Sequence, residues 1–198
     1  FILPQFDLRG IQVAAYTAGS SNTISYGSPV SCGDAMNVNL ELRYAEGRLY
    51  AESRLAEFIK LVTGGSISIG VKYIPDAAQA LLFDLDTITR GTGASAKVSH
   101  RLKGTSAPKY VGVGFYAPDV VDGVTKYTGI VVFKAQFGYP SMSLQTKGES
   151  IVFSTPTVTG EFLAADDTRK SIIDVGTFAT ESDATSWIST TFTTPNPS

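Results

Sequence analysis

The strictest constraint on this chain is a two-residue alternation of apolar and polar side chains, clearest over residues 36–43 and 110–137. Met36, Val38, Leu40 and Leu42 alternate with Asn37, Asn39, Glu41 and Arg43, which describes a strand with one buried and one wet face. Val111, Val113 and Phe115 alternate with Tyr110, Gly112, Gly114 and Tyr116. After a turn at Asp122-Gly123, Tyr127, Gly129, Val131, Phe133, Ala135 and Phe137 alternate against Thr128, Lys134 and Gln136. A period of two cannot face one core as a helix, so the chain is mainly β with a minor α component.

Breaker residues divide the remainder. An apolar start containing Pro4 reads as an extended arm over residues 1–9, followed by a strand over 10–18 and a loop at Ser20, Ser21 and Asn22. Glu46-Gly47 is read as a turn and Gly64-Gly65 as a second turn; residues 48–62 between them have mixed periodicity, with Leu55, Phe58, Ile59 and Val62 fitting a helical face as well as a sheet, and are read as a strand in preference to a short helix. From the second turn Ile67, Ile69, Val71 and Tyr73 return along residues 55–62. Pro75 and Asp76 open a helix whose buried face is Ala78, Leu81, Leu82 and Leu85. Residues 87–109 are rich in Gly, Ser, Thr and Ala and too long for an ordinary connection, which marks them as a contact loop. Residues 170–178 form a further strand, and Thr180 with Asp183 caps a second helix facing inward through Ala184, Trp187 and Ile188. Residues 193–198 read as a C-terminal tail.

Composition excludes several classes of function. A chain of 198 residues, 43% hydrophobic, supports one sizeable core and is read as a single domain. With a net charge of -2 and 17% charged residues it lacks the basic surface that sequence-specific nucleic-acid binding needs. No apolar run approaches the length of about 20 residues that a membrane span requires. Cys32 stands alone, so no internal disulfide forms, and a reducing cytoplasm is the expected place of synthesis. The chain begins at Phe1 rather than Met, which points to processing or trimming of a precursor.

Catalytic and ligand-binding readings fail on their contexts. His100, beside Arg101, cannot build a histidine metal cluster alone. Gly112, Gly114 and Ala117 spell a G-x-G-x-x-A string, but Pro118-Asp119 follows where a dinucleotide site needs a helix N-terminus. Ser106 to Lys109 is an S-x-x-K string interrupted by Pro108 and without companion motifs. Asp84 with Asp86, and Asp166 with Asp167, lack the ligand spacing of a calcium loop. Trp187 and the tyrosines are scattered through element patterns, as packing residues are, rather than gathered as a stacking platform. The chain is therefore read as no enzyme, with no cofactor and no metal.

Two phrases, FYAPDVVDGVTKYTGIVVFK and FGYPSMSLQTKGESIVFSTPTVTGEF, resemble the major tail proteins, or tail tube proteins, of bacteriophages with long non-contractile tails. ISYGSPV, MNVNLELRYAEGRLYAES and GGSISIGVKYIPD upstream keep the same order and spacing, so the resemblance spans about residues 24–162, with 87–109 departing from the pattern. It implies a tail-tube-type β-sandwich or half-barrel with a flanking α-helix. It further implies hexameric rings that stack into the conduit for DNA ejection. The implied partners are other copies, the tape-measure, tail terminator and distal tail proteins, and viral DNA in transit without sequence-specific binding. The implied location is the virion tail, after synthesis in the host cytoplasm. On this reading Asn37, Asn39, Glu41, Ser66 and Ser68 line the lumen, while Phe1, Ile2, Leu3, Phe6, His100 and Arg101 touch neighbouring subunits. The alternative is an extracellular β-sandwich binding module, an adhesin or carbohydrate-binding domain, which would stay monomeric and retain glycans.

Overall fold

The computed structural model describes residues 7–51, 54–121, 123–141 and 155–195. Among the described residues, eleven strands and two α-helices run in the order β1 (Arg9–Ala18), β2 (Ile24–Tyr26), β3 (Val30–Ser31), β4 (Ala35–Ala51), β5 (Arg54–Val71), α1 (Asp76–Phe83), β6 (Asp86–Arg90), β7 (Lys97–Arg101), β8 (Val111–Val121), β9 (Val124–Phe137), β10 (Thr157–Phe162), β11 (Ile173–Phe178) and α2 (Glu181–Thr193). One nine-stranded antiparallel sheet has the order β2-β1-β8-β9-β10-β5-β4. Its edges fork: β3 joins β1 beside β2, and β11 joins β9 beside β10. The fold is mainly β, with a minor helical part and a sandwich-like arrangement of the one large sheet.

The main core explains why the sheet curls. Ile11 and Val13 of β1, Val111, Val113 and Phe115 of β8, and Ile67, Ile69 and Val71 of β5 meet in one buried cluster with Phe137 and Phe162. α1 plugs that cluster with Ala78, Leu82 and Phe83. Leu85, expected on the helix, lies beyond its end, because Asp84 adopts a left-handed conformation (φ 51°) and stops it. Leu85 still packs on the core from the following segment.

The second face of β8, which carries Gly112, Gly114 and Tyr116, is buried beneath α2. Residues 111–119 are all buried. Ala14, Tyr116 and Val131 meet Ala184, Ile188 and Phe192 of the helix. A Cβ at Gly112 would lie 2.5 Å from the Phe192 ring, and one at Gly114 would collide with Ile188, so both glycines let the helix sit directly on the sheet. Thr180 caps α2 as expected: its hydroxyl oxygen accepts from the Asp183 N–H at 3.1 Å.

The alternation along β9 also breaks. The pairs Val111↔Ala135 and Val113↔Val132 leave an extra residue in β9, a bulge that shifts the side-chain phase. Val132, Ala135 and Phe137 therefore share the main core, while Val131 goes to the α2 cluster and Phe133 to a third cluster with Ile24 and Ala165.

Neither Glu46-Gly47 nor Gly64-Gly65 is a turn. β4 and β5 form one long hairpin in which Glu46 pairs with Lys60, Gly47 with Ile59, Leu42 with Gly65 and Arg43 with Gly64. The next pair is Tyr44↔Val62, so Thr63 is the extra residue of a bulge. Gly64 takes φ 139°, and a Cβ on Gly65 would meet the Glu41 carbonyl and the Phe162 ring. These glycines serve a bulge and a close backbone approach, which a sequence pattern does not separate from a turn.

Candidate functional site

The five residues expected on one polar face are brought together. Asn39 and Glu41 of β4 stand opposite Ser68 and Ser66 of β5, with Asn37 opposite Gly70. The face continues onto β10, where Thr157, Thr159 and Glu161 pair with Gly70, Ser68 and Ser66, and onto Gln136 of β9, which pairs with Glu161. Arg43 donates to Glu161 at 2.5 Å, which holds the Glu161 carboxyl below the usual carboxylate value. A shallow groove of about 520 Å³ crosses the face between Ser66, Pro108, Gln136, Thr159 and Glu161. The Gln136 amide donates to the Pro108 carbonyl at 2.5 Å.

Two residues back along β9, Lys134 donates to Asp166 at 2.6 Å and lies over the Tyr110 ring at 4.6 Å and the Tyr16 ring at 5.3 Å. The Tyr16 hydroxyl also donates to Asp166, at 2.8 Å. Lys134, with help from Tyr16, lowers the Asp166 carboxyl; burial and the carboxylate push the Tyr16 hydroxyl up to about 12.

Beyond the bulge the hairpin leaves the sheet. β10 pairs with β5 only over residues 65–70, so among the described residues β5 has no partner on that edge over residues 54–64, and β4 has no outer partner along its length. The polarity of the two faces also exchanges there. The side that carries Asn39, Glu41 and Arg43 continues as Ala45, Gly47 and Leu49 facing Leu61, Ile59 and Glu57. Leu49, Ile59 and Leu61 are 57%, 54% and 63% exposed. The opposite side, which covers the core lower down, becomes a set of ions and rings. Lys60 pairs with Glu46 at 3.1 Å and lies over Tyr44 at 4.4 Å, and Arg48 lies over Phe58 at 5.5 Å. Sequence reasoning missed this surface. The available signal was Phe58, Ile59, Leu61 and Val62, apolar at both parities of a strand.

Residues 87–109, expected as a contact loop, carry the β6–β7 hairpin, which forms a separate two-stranded sheet. His100 lies 3.6 Å from Asp76 at the start of α1, and its ring nitrogen is 3.5 Å from the Thr87 hydroxyl. Arg101 is exposed. Phe1, Ile2, Leu3 and Phe6, Asp122 of the expected turn, and residues 196–198 of the tail lie outside the described residues.

The chain carries no catalytic motif, and among the described residues no three His, Cys, Asp or Glu side chains gather as a metal site. The paired aspartates are committed locally. Asp84 meets Lys109 at 3.3 Å, Asp86 meets Lys103 at 3.0 Å, and Asp167 accepts from the Ser171 amide and hydroxyl. Cys32 is buried, with its thiol pushed up to about 11 by burial, and is unreactive. Among the described residues no helix is long and apolar enough to cross a membrane.

No protein-family model matches the chain, and no curated protein matches it. Among solved structures, the anti-feeding prophage cap, described as a tube-terminating cap, is similar over 89% of this chain and 95% of its own. The identity is 12% and the TM-score 0.37.

Proposed function

We propose that this chain is a structural subunit of a phage tail tube, assembling as stacked rings, hexameric as the sequence resemblance implies, that form the conduit for DNA ejection. Support comes above all from the distal half of the β4–β5 hairpin, which projects apolar side chains and unpaired strand edges into solvent. A long, flat, apolar edge strand is an aggregation hazard in a monomer and an asset only where another chain covers it. Head-to-tail docking of such a hairpin on the next copy is heterologous, and heterologous contacts close into rings when the rotation permits.

In the assembled half-barrels the polar face of Asn37, Asn39, Glu41, Ser66 and Ser68, extended by Thr157, Thr159 and Gln136, lines the lumen. Its charges are largely paired, Arg43 with Glu161 and Lys134 with Asp166. Glu41 has no cationic partner among the described residues, so phosphate is weakly repelled and finds no cationic hold. The ends of the tube meet the terminator and distal tail proteins, and the lumen holds the tape-measure protein before DNA. Negative-stain microscopy of the concentrated protein tests the reading. Rings or tubes are expected; a stable monomer that retains glycans on an array refutes it in favour of a binding module.

A further inference from the structure

The charges of the chain are unevenly divided. Residues 86–109, which contain the whole of β6–β7, hold Arg90, Lys97, Arg101, Lys103 and Lys109 against Asp86 alone, a charge of +4, while the other 174 residues carry 11 cations against 17 acids, a charge of -6. The basic segment is built around β6–β7, which has no buried residue, so it is not held by a hydrophobic seat. An isolated two-stranded hairpin is marginal in water. At its base Lys109 pairs with Asp84 of the body, the Ser106 hydroxyl donates to the Asp84 carbonyl and the His100 ring lies 3.6 Å from Asp76, while Lys103 pairs with Asp86 of β6 itself.

At the outer end this compensation stops. Arg90 and Lys97 are directly opposed across the two strands, and like charges in that position destabilise a sheet. Neither has an ion pair among the described residues, and both are exposed, whereas Arg101 lies at the base of the hairpin, directly opposite Asp86. Arg90 instead donates to the Ser99 hydroxyl at 2.8 Å. A finger that concentrates unpaired cations beyond a neutralised base presents them to an anionic partner.

We propose that β6–β7 is a basic finger that docks on the acidic body of a second copy of this chain, head to tail. Charge complementarity selects this occupant. The body opposes the finger in sign and roughly matches it in magnitude, and an assembly of identical subunits supplies it to every finger. A nucleic acid would gain the same finger but also meet the acidic body around it. The inference rests on the tube reading and assigns the contact within it that salt controls.

The test uses the full chain, with assembly followed by sedimentation velocity between about 0.05 and 0.5 M NaCl, where screening shortens from beyond 10 Å to a few ångströms. Wild type is expected to assemble less as salt rises. Arg90→Glu with Lys97→Glu, which leaves a like-charged pair at the same cross-strand position, is expected to weaken assembly by about ten- to a hundredfold at low salt, with an unchanged melting temperature. Its acidic body still accepts a wild-type finger, so substoichiometric variant should shorten wild-type assemblies instead of standing apart from them. Arg90→Gln with Lys97→Gln should give an intermediate effect, and serves if the charge reversal does not fold. Rings that ignore both salt and these substitutions overturn the finger but leave the tube reading intact. A wild type that stays monomeric at every salt concentration overturns both. Binding of a labelled DNA duplex that the reversal abolishes, with self-assembly unaltered, overturns the choice of a second copy.

Discussion

Replacing Leu49, Ile59 and Leu61 together by Thr separates assembly from folding, because these side chains are already mostly in water in the single subunit. A fully buried apolar side chain of this size contributes about 1.5–3 kcal/mol. With 57%, 54% and 63% of each still exposed, covering all three in a neighbour is worth about 3–5 kcal/mol, or about 2–4 kcal/mol once the retained Thr methyl groups are allowed for. At 1.4 kcal/mol per decade that is a loss of about thirty- to sevenhundredfold in association. Thr also keeps the β preference of the strand, and an exposed substitution shifts monomer stability by only about 0.5 kcal/mol. The assay pairs sedimentation velocity with urea unfolding of the monomer. A variant that assembles like wild type, or that unfolds at clearly lower urea, would show that the strip is not a docking surface.

Three further outcomes check how the subunit is built. Ile188→Ala removes a fully buried side chain from the seat of α2 on the sheet and should lower unfolding free energy by about 2–4 kcal/mol in urea titration. The Thr128 hydroxyl donates to Asp119, whose other carboxyl oxygen is buried without a partner among the described residues, so Thr128→Val should cost about 1–3 kcal/mol. Adding Asp119→Ala should recover part of that loss. Asp166 binds its proton less tightly in the folded chain than at the usual value of 3.8, so its contribution is fully present above pH 3.8 and fades as pH falls through the lower folded value. NMR titration should place the Asp166 carboxyl midpoint below 3.8; a midpoint at or above it contradicts the Lys134 and Tyr16 contacts.

What the sequence made legible follows from which interactions are local. The strand of residues 36–43 and the cap of α2 depend on neighbours one to three residues away, and both are found where the pattern puts them. The grouping of Asn37, Asn39 and Glu41 with Ser66 and Ser68 was legible for a related reason, since antiparallel pairing carries wet positions onto one side once both strands exist. The seat of α2 was not legible. Gly112 and Gly114 read as gaps in a strand pattern, and only a helix more than sixty residues later in the chain explains why side chains are missing there.

The hairpin shows how one residue can hide a surface. Thr63 adds a residue to β5 but not to β4, so side chains on the two sides of the bulge keep to a common face only if their parity is shifted. Read without that shift, Phe58, Ile59, Leu61 and Val62 fit no amphipathic strand, and Gly64-Gly65 looks like the turn that would relieve the conflict. With the shift, Ile59 and Leu61 join Leu49 on one side while Phe58 and Val62 join Tyr44 on the other among Glu46, Lys60 and Arg48, and both sides expose large apolar side chains beyond the sheet's edge. A monomer gains nothing from exposing both faces of a paired ribbon to water. The bulge thus marks where the strands stop serving their own core, and it sets the boundary between the polar face assigned to the lumen and the ribbon assigned to the neighbouring subunit.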